Sequence, residues 1–391
     1  MKSIFFVILS ISQILNCEVS KINTKKIDIN NFGFAIFNEL SYCSNNIFIS
    51  PFSISMAFSL AYLGSANNTE KQIQNVFHFE KNTYSFHKNY GIFLDEVNSL
   101  RKNKNISINI ANSTWFNKNE IFKDDYLLSL EKYYKSEVKI VDYNDVVNAI
   151  QQINKWTSVN TKTKIPNILQ PGDIDSATLL VIVNAIYFKG IWQHKFDQKV
   201  TSKEDFYINQ NTPIKCDMMK IKNIFQYTDN ASFEIIRIPY IGNTISMIII
   251  LPKNKSDDLY DGIKLSSDIF HVWLNSLLPT EIILKLPKFK IKFKKEIKPS
   301  LLKLGVHDAF NQTADFKKIT DSNIYISKII HDAFIEVNEE GTEAAAATAL
   351  VMRKCINNEI KTFNVNRPFI FMIIENKYNQ LLFIGKIGNP N

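Results

Sequence analysis

Three sets of residues in this 391-residue chain have types that could do chemistry, and two of them carry little. The six histidines are scattered without metal-ligand spacing. No HExxH, GxSxG, phosphate-loop or dinucleotide fingerprint accompanies them. The cysteines are Cys17, Cys43, Cys216 and Cys355, and none lies in a CxxC pair, which argues against a zinc site. The third set is one continuous run near the C-terminus. It reads Glu339-Glu340-Gly341-Thr342-Glu343-Ala344-Ala345-Ala346-Ala347-Thr348-Ala349, then Leu350-Val351-Met352-Arg353-Lys354-Cys355-Ile356. With no enzyme constellation elsewhere, the chemistry of this chain rests on that run.

Two backbone conformations fit it. As a helix, Thr342 is an N-cap, Glu343 suits the first turn and the alanines are strong helix formers. As a strand, Thr342, Ala344, Ala346, Thr348 and Leu350 share one small, largely apolar face, and Glu343, Ala345, Ala347 and Ala349 share the other. Gly341 is then the hinge, because glycine reaches backbone conformations closed to other residues.

The stretch from Val337-Asn338-Glu339-Glu340-Gly341-Thr342-Glu343-Ala344 to Thr348 resembles the hinge of inhibitory serpins, and the likeness extends over nearly the whole chain. The resemblance implies an α+β, single-domain serpin fold with a large central β-sheet, two further sheets, about eight or nine helices and an exposed reactive-centre loop over about 341–358. It also implies an activity, that of a protease inhibitor and not an enzyme. The loop is bait for a serine endopeptidase, which attacks one bond, forms an acyl-enzyme and is trapped in a covalent 1:1 complex when the cut loop enters the main sheet as a new strand. The implied hinge is Glu339, Gly341, Thr342, Glu343, Ala344, Ala345, Ala346, Ala347 and Thr348.

Two family offsets place the cut bond either after Cys355, before Ile356, or one residue earlier, between Lys354 and Cys355; Arg353 is a third choice. A trypsin-like pocket with a buried carboxylate takes a basic residue, so Lys354-Cys355 is the preferred bond. Two other readings stay open, a carrier or binding protein on the same fold and an inhibitor of papain-like cysteine proteases.

The elements that must position this loop are legible along the chain. Phe32, Ala35, Phe37 and Leu40 space a buried helix. In Asn46-Ile47-Phe48-Ile49-Ser50-Pro51-Phe52-Ser53, Pro51 fits a helix start with Ser50 and Ser53 as caps, and a buried helix runs from Met56 to Leu63, ending at Gly64. Ile106, Ile108 and Ile110 alternate as a strand continuing to Phe116. Val146, Ile150 and Ile153 have helical spacing, with Pro166 as the terminator. Leu179 to Gly190 reads as a strand buried on both faces. With Trp192 and Phe196 it is similar to the serpin motif NAxYFKGxWxxxF. From the resemblance, Ser50, Ser53, Asn184 and His331 belong to the region where the sheet parts (the shutter), and Lys189 and Trp192 to the top of that opening (the breach). His331 and Ala333 precede the strand that leads into the hinge. Leu304-Gly305-Val306, Phe310 and Ala314-Asp315-Phe316 match a further signature. Asn366 to Phe371 and Leu382 to Lys386 read as two strands around a polar turn at 376–379.

With 45% apolar and 12% aromatic residues, the chain supports a large packed core, and no linker or repeat divides it. Met1 to Cys17 has the form of a signal peptide, a lysine followed by the apolar stretch Ile4–Leu15 that is too short to span a bilayer. The mature domain is then 18–391, secreted and extracellular. Secretion leaves three cysteines, with a Cys43–Cys216 bridge one open pairing and Cys355 a free loop-borne thiol. Sequons at Asn67, Asn105, Asn230, Asn254 and Asn311 are candidate glycosylation sites; a sixth, Asn112, falls in a strand. The net charge is +8. In Leu286 to Lys294, Phe289, Ile291 and Phe293 face a core, while Lys288, Lys290, Lys292 and Lys294 line the other side, as a solvated face or as a site for a polyanion such as heparin. No cofactor, metal, nucleic acid or membrane span is expected, and the protein is expected to be a monomer.

Overall fold

The structure is a computed structural model that describes residues 29–41, 44–100, 106–135, 138–254, 264–342 and 360–391. Residues 1–28, with Cys17, as well as Cys43, Asn105 and everything from Glu343 to Glu359, including the alanine run and Arg353, Lys354, Cys355 and Ile356, lie outside the described residues.

Eight α-helices are found among the described residues: α1 (Asn30–Ser41), α2 (Pro51–Gly64), α3 (Asn67–Phe77), α4 (Thr83–Leu100), α5 (Asp124–Ser129), α6 (Val146–Asn160), α7 (Ser267–Ser276) and α8 (Lys298–Leu304). None of them is long and apolar enough to cross a membrane. One sheet of six strands contains β2 (Ile106–Asn117), β3 (Lys139–Val141), β4 (Leu180–Ile191), β10 (Phe289–Glu296), β11 (Lys328–Val337) and the short β12 (Gly341–Thr342). Its order is β10-β11-β4-β2-β3, with β12 paired to β4.

A second sheet of nine strands holds β1 (Asn46–Ile49), β5 (Ser202–Tyr207), β6 (Pro213–Asp229), β7 (Phe233–Pro239), β8 (Ile245–Pro252), β9 (Leu278–Pro287), β13 (Lys361–Asn364), β14 (Phe369–Glu375) and β15 (Gln380–Ile387). The two smaller sheets implied by the sequence run together here. The reason is β6, whose 17 residues are long enough to pair with β5 at one end and β7 at the other, and with β9 between.

β4 is buried on both faces, as its apolar run requires. Ile182, Ile186 and Phe188 enter the larger core, which α2 also enters, while Val181, Val183 and Ala185 join a smaller one beneath Ala149 and Ile153 of α6. α2 is apolar around its whole circumference and correspondingly sunk, with Met56 and Leu63 its only residues not fully buried. Ser50 caps it, accepting from the Ser53 amide at 3.1 Å.

Four local expectations need correction. Helix α6 stops at Asn160 rather than running on to Pro166. The Thr161 hydroxyl donates to Thr157 O at 2.8 Å and accepts from the Ile165 amide at 3.2 Å, turning the chain early. His331 and Ala333 lie inside β11 rather than before it. On α1, Ala35 is only half-buried; Phe34 and Ile36 are buried alongside Phe32, Phe37 and Leu40. Cys216 is a free, fully buried thiol in β6, not half of a bridge to Cys43, and burial pushes its pKa up to about 11.

Candidate functional site: the β4–β11 seam and the hinge above it

β4 and β11 are parallel neighbours from Lys328↔Val181 to Phe334↔Tyr187. Beyond Phe334, β11 stays with β10 as far as Val337 and leaves the edge of β4 uncovered. The chain doubles back over Asn338 and Gly341, which bond to one another through both amides. β12 then takes the exposed edge, with Gly341 opposite Ile191 and Thr342 opposite Gly190. The run that fitted both helix and strand therefore begins as a strand.

One glycine makes this approach possible. A Cβ on Gly341 would sit 2.1 Å from the Gly190 carbonyl oxygen, and Gly341 has φ +149°, so both space and backbone demand glycine. Around it the contacts are dense. Trp192 donates its amide to Glu340 O and its indole N–H to Asn338 O, both at 3.0 Å. Its ring stacks on Tyr240 at 4.6 Å, and the Tyr240 hydroxyl meets the Thr342 hydroxyl at 2.9 Å. Glu339 accepts from the Thr201 hydroxyl at 2.9 Å and pairs with Lys288 at 3.1 Å. Glu340 pairs with Lys195 at 2.5 Å. Lys189, half-buried opposite Ser107, stands outside this set.

The lower seam is held by a polar row across three strands. Asn112 of β2 lies opposite Asn184 of β4, which lies opposite His331 of β11. The Asn184 amide donates to Asn112 Oδ1 at 2.7 Å and to Ser53 Oγ at 2.8 Å, and His331 Nδ1 meets Asn184 Oδ1. His331 Nε2 accepts from the Ser50 amide at 3.3 Å, and Ser50 Oγ donates to Leu382 O at 2.8 Å. The row thus ties the seam to the start of α2 and to β15. Sequence reasoning missed Asn112, read there only as a sequon in a strand. The usable signal was its parity in β2, which puts a polar side chain on the core face. Tyr240, Asn338 and Thr201 lie in stretches that match the resemblance but were given no place in the site, and Lys195 was missed outright.

The four lysines of β10 are each matched by a carboxylate: Lys288 by Glu339, Lys290 by Glu336 at 3.4 Å, Lys292 by Asp332 at 3.9 Å and Lys294 by Asp173 at 3.7 Å. The row's charge is thus largely offset, although Asp173 also pairs with Lys328 at 2.9 Å, and the offset weakens the field available to a polyanion. Among the sequons, Asn230 and Asn254 are exposed. Asn67 and Asn311 are exposed too, but their amides donate to Asp315 and to His307 O.

A profile described as Serpin (serine protease inhibitor) matches residues 28–390. The chain belongs to the serpin family. It is 36% identical over 371 residues to the leukocyte elastase inhibitor of Xenopus laevis, covering 92% of this chain and 97% of that one. Among solved structures, this serpin resembles maspin with a TM-score of 0.85 and 27% identity, covering 93% of this chain and 97% of that chain. It also resembles Serpin48, titled a highly specific serpin of the insect Tenebrio molitor, with a TM-score of 0.81, 29% identity and 93% and 97% coverage.

Two buried groups on adjacent positions of β11 respond to pH in opposite senses. Burial holds His331 down to about 3, so it is neutral in the native state. Its contribution is full above pH 6.5 and is lost as pH falls through the range below. Asp332 faces the α6 side with neither oxygen hydrogen-bonded among the described residues. Burial raises it to about 6, against the opposing pull of Lys292 and Lys294. Its folded pKa lies above the unfolded one, so the native state loses stability as pH rises from about 4 to 6, by on the order of 3 kcal/mol. Asp332→Asn is expected to remove that loss. The variant's stability advantage over wild type in urea unfolding should grow between pH 4 and pH 7; an advantage that does not change with pH refutes the assignment. Asn184→Ala strips partners from His331, Asn112 and Ser53, at roughly 1–3 kcal/mol for each buried group left unmatched. Its melting temperature should fall by several degrees, and a drop of less than a degree counts against the row as the clasp.

Proposed function

We propose that this chain is a secreted inhibitory serpin that traps trypsin-like serine endopeptidases as a suicide substrate, with Lys354-Cys355 as the reactive bond. The observation that carries this reading is the edge pairing of Gly341 and Thr342 on β4, continuous in sequence with a run of small residues.

The reading assigns each residue set a task. The protease's serine oxygen bonds to the Lys354 carbonyl carbon, the Lys354–Cys355 C–N bond breaks, and the protease's histidine gives the proton to the leaving Cys355 amine. The freed segment continues the β12 register down β4. That register sets Glu343 opposite Lys189, a cross-strand charge pair, and sets Ala344, Ala346 and Thr348 opposite Phe188, Ile186 and Asn184, small residues against large ones. The shutter residues Ser50, Ser53, Asn184 and His331, joined by Asn112, must yield for the strand to pass. Trp192 and Tyr240 hold the breach where it enters. β4 spans 12 residues, and its length beyond the two β12 rungs offers about ten further cross-strand pairs once the seam opens, at roughly 0.2–1 kcal/mol each, on the order of 2–10 kcal/mol. Opening the seam costs the seven pairs from Lys328↔Val181 to Phe334↔Tyr187, but the new strand bonds on both sides. Secretion rests on the Met1–Cys17 leader, and glycosylation on the exposed sequons.

Incubation of the protein lacking residues 1–17 with trypsin is expected to yield a complex that survives denaturing electrophoresis and a released peptide beginning at Cys355. A complex formed only with chymotrypsin or a papain-like protease, or a peptide beginning at Ile356, moves the bait residue. Cleavage without complex by all three overturns inhibition. Thr342 is fully buried against Tyr240, so Thr342→Arg cannot enter the sheet edge. It should leave the cleavage rate within about threefold while converting nearly all complex to cut, released inhibitor; full complex yield contradicts the insertion route.

A further inference from the structure

A cavity of about 1140 Å³ opens between the C-terminal half of α4, β6 to β8 and the turn joining β14 to β15. It shares a wall with the breach. Pro239 and Gln193 line it, and the Gln193 amide donates to Pro239 O at 2.9 Å, next to the Trp192–Tyr240 bridge. Phe93, Val97, Phe225 and Pro239 give it apolar surface.

Its polar groups are incompletely matched. Arg237 donates only its Nε, to Ser246 Oγ at 3.3 Å; its two terminal nitrogens have no hydrogen bond among the described residues. Nearby Glu375 attracts it electrostatically. That carboxylate, however, is taken by the amides of its own turn, accepting from Lys377 N at 2.6 Å and Tyr378 N at 2.8 Å. Lys377 is held by Glu96 at 2.9 Å. Asn376 donates its amide to Asn243 O and Ser246 Oγ, at 2.8 and 2.9 Å, but its buried Oδ1 is unmatched, as is the buried hydroxyl of Thr244. The other charges at the site are satisfied locally, while a guanidinium fork, an acceptor and a hydroxyl remain open.

We propose that this cavity binds a small amphiphilic carboxylate. The acid takes the Arg237 fork bidentately, an aromatic or aliphatic body lies on the apolar wall, and a hydroxyl or N–H on the ligand reaches Asn376 Oδ1 or Thr244. A few converging polar groups in a largely apolar hollow of this size are the usual make-up of a ligand site.

The probes are phenyl-, naphthyl- and biphenylacetate and their primary amides, titrated calorimetrically into the intact protein. At least one acid should bind at one per chain, about tenfold tighter than its amide. Arg237→Gln should erase that difference. Because Arg237 is half-buried and its replacement could disturb the fold, a second variant, Ile224→Glu, places a negative charge at an exposed rim position. It should weaken the acid several-fold and leave the amide unchanged. Failure of all three acids to bind at millimolar concentration, equal affinity of acid and amide, or acid binding indifferent to both substitutions overturns the proposal and identifies the cavity as solvent-filled only.

Discussion

The contact on which the rest of this structure depends is the parallel pairing of β4 with β11. Each strand is already committed on its other edge, β4 to β2 and β11 to β10, so the seam between them is where the six-stranded sheet can divide. Its two outer partnerships differ in kind. β10 is laced to β11 by lysine–carboxylate pairs, largely at the surface. The seam itself is closed by buried, uncharged groups, Asn184 and His331, backed by Ser50 and Ser53 from beneath. Uncharged hydrogen bonds in a dry interior are strong when complete and costly when one member is lost. A seam held this way is closed firmly yet opens without stranding a full charge, with Asp332 the exception on its other face.

Much of the fold was legible because burial leaves a periodic signature. The unbroken apolar run of β4 and the all-round apolar α2 follow from being covered on every side, and both sit where the sequence placed them. The alternation in Phe289 to Lys294 likewise gave the correct faces. Its meaning was not legible, because the carboxylates that meet those lysines arrive from Asp173, Asp332, Glu336 and Glu339, at separations no local pattern encodes.

The hinge illustrates the same limit. Gly341-Thr342 followed by alanines satisfies the rules for a helix start and for a strand equally. What decides is the open edge of β4 at Gly190 and Ile191, some 150 residues earlier, against which the backbone of Gly341 comes too close for any side chain. Asn112 was set aside as a sequon (Asn112-Ser113-Thr114) because it falls in a strand, and no role in the seam was read from it. Its place opposite Asn184 follows only from the register of β2 on β4. The early stop of α6 belongs to the same class: the Thr161 hydroxyl outcompetes the helix five residues before the proline read as its limit.

The seating of β12 carries a kinetic consequence. Joining two strands is slowest at the first contact, where chain entropy is lost before any ladder repays it; later pairs add quickly, on the microsecond scale of hairpin growth. In this molecule the first rungs, Gly341 on Ile191 and Thr342 on Gly190, exist before any bond is cut. A segment released below them has no nucleus to find, and what is left is to part the seam and zip into it. Under the proposed mechanism the outcome is a race between zipping and hydrolysis of the acyl-enzyme, and the two preformed rungs give zipping its head start.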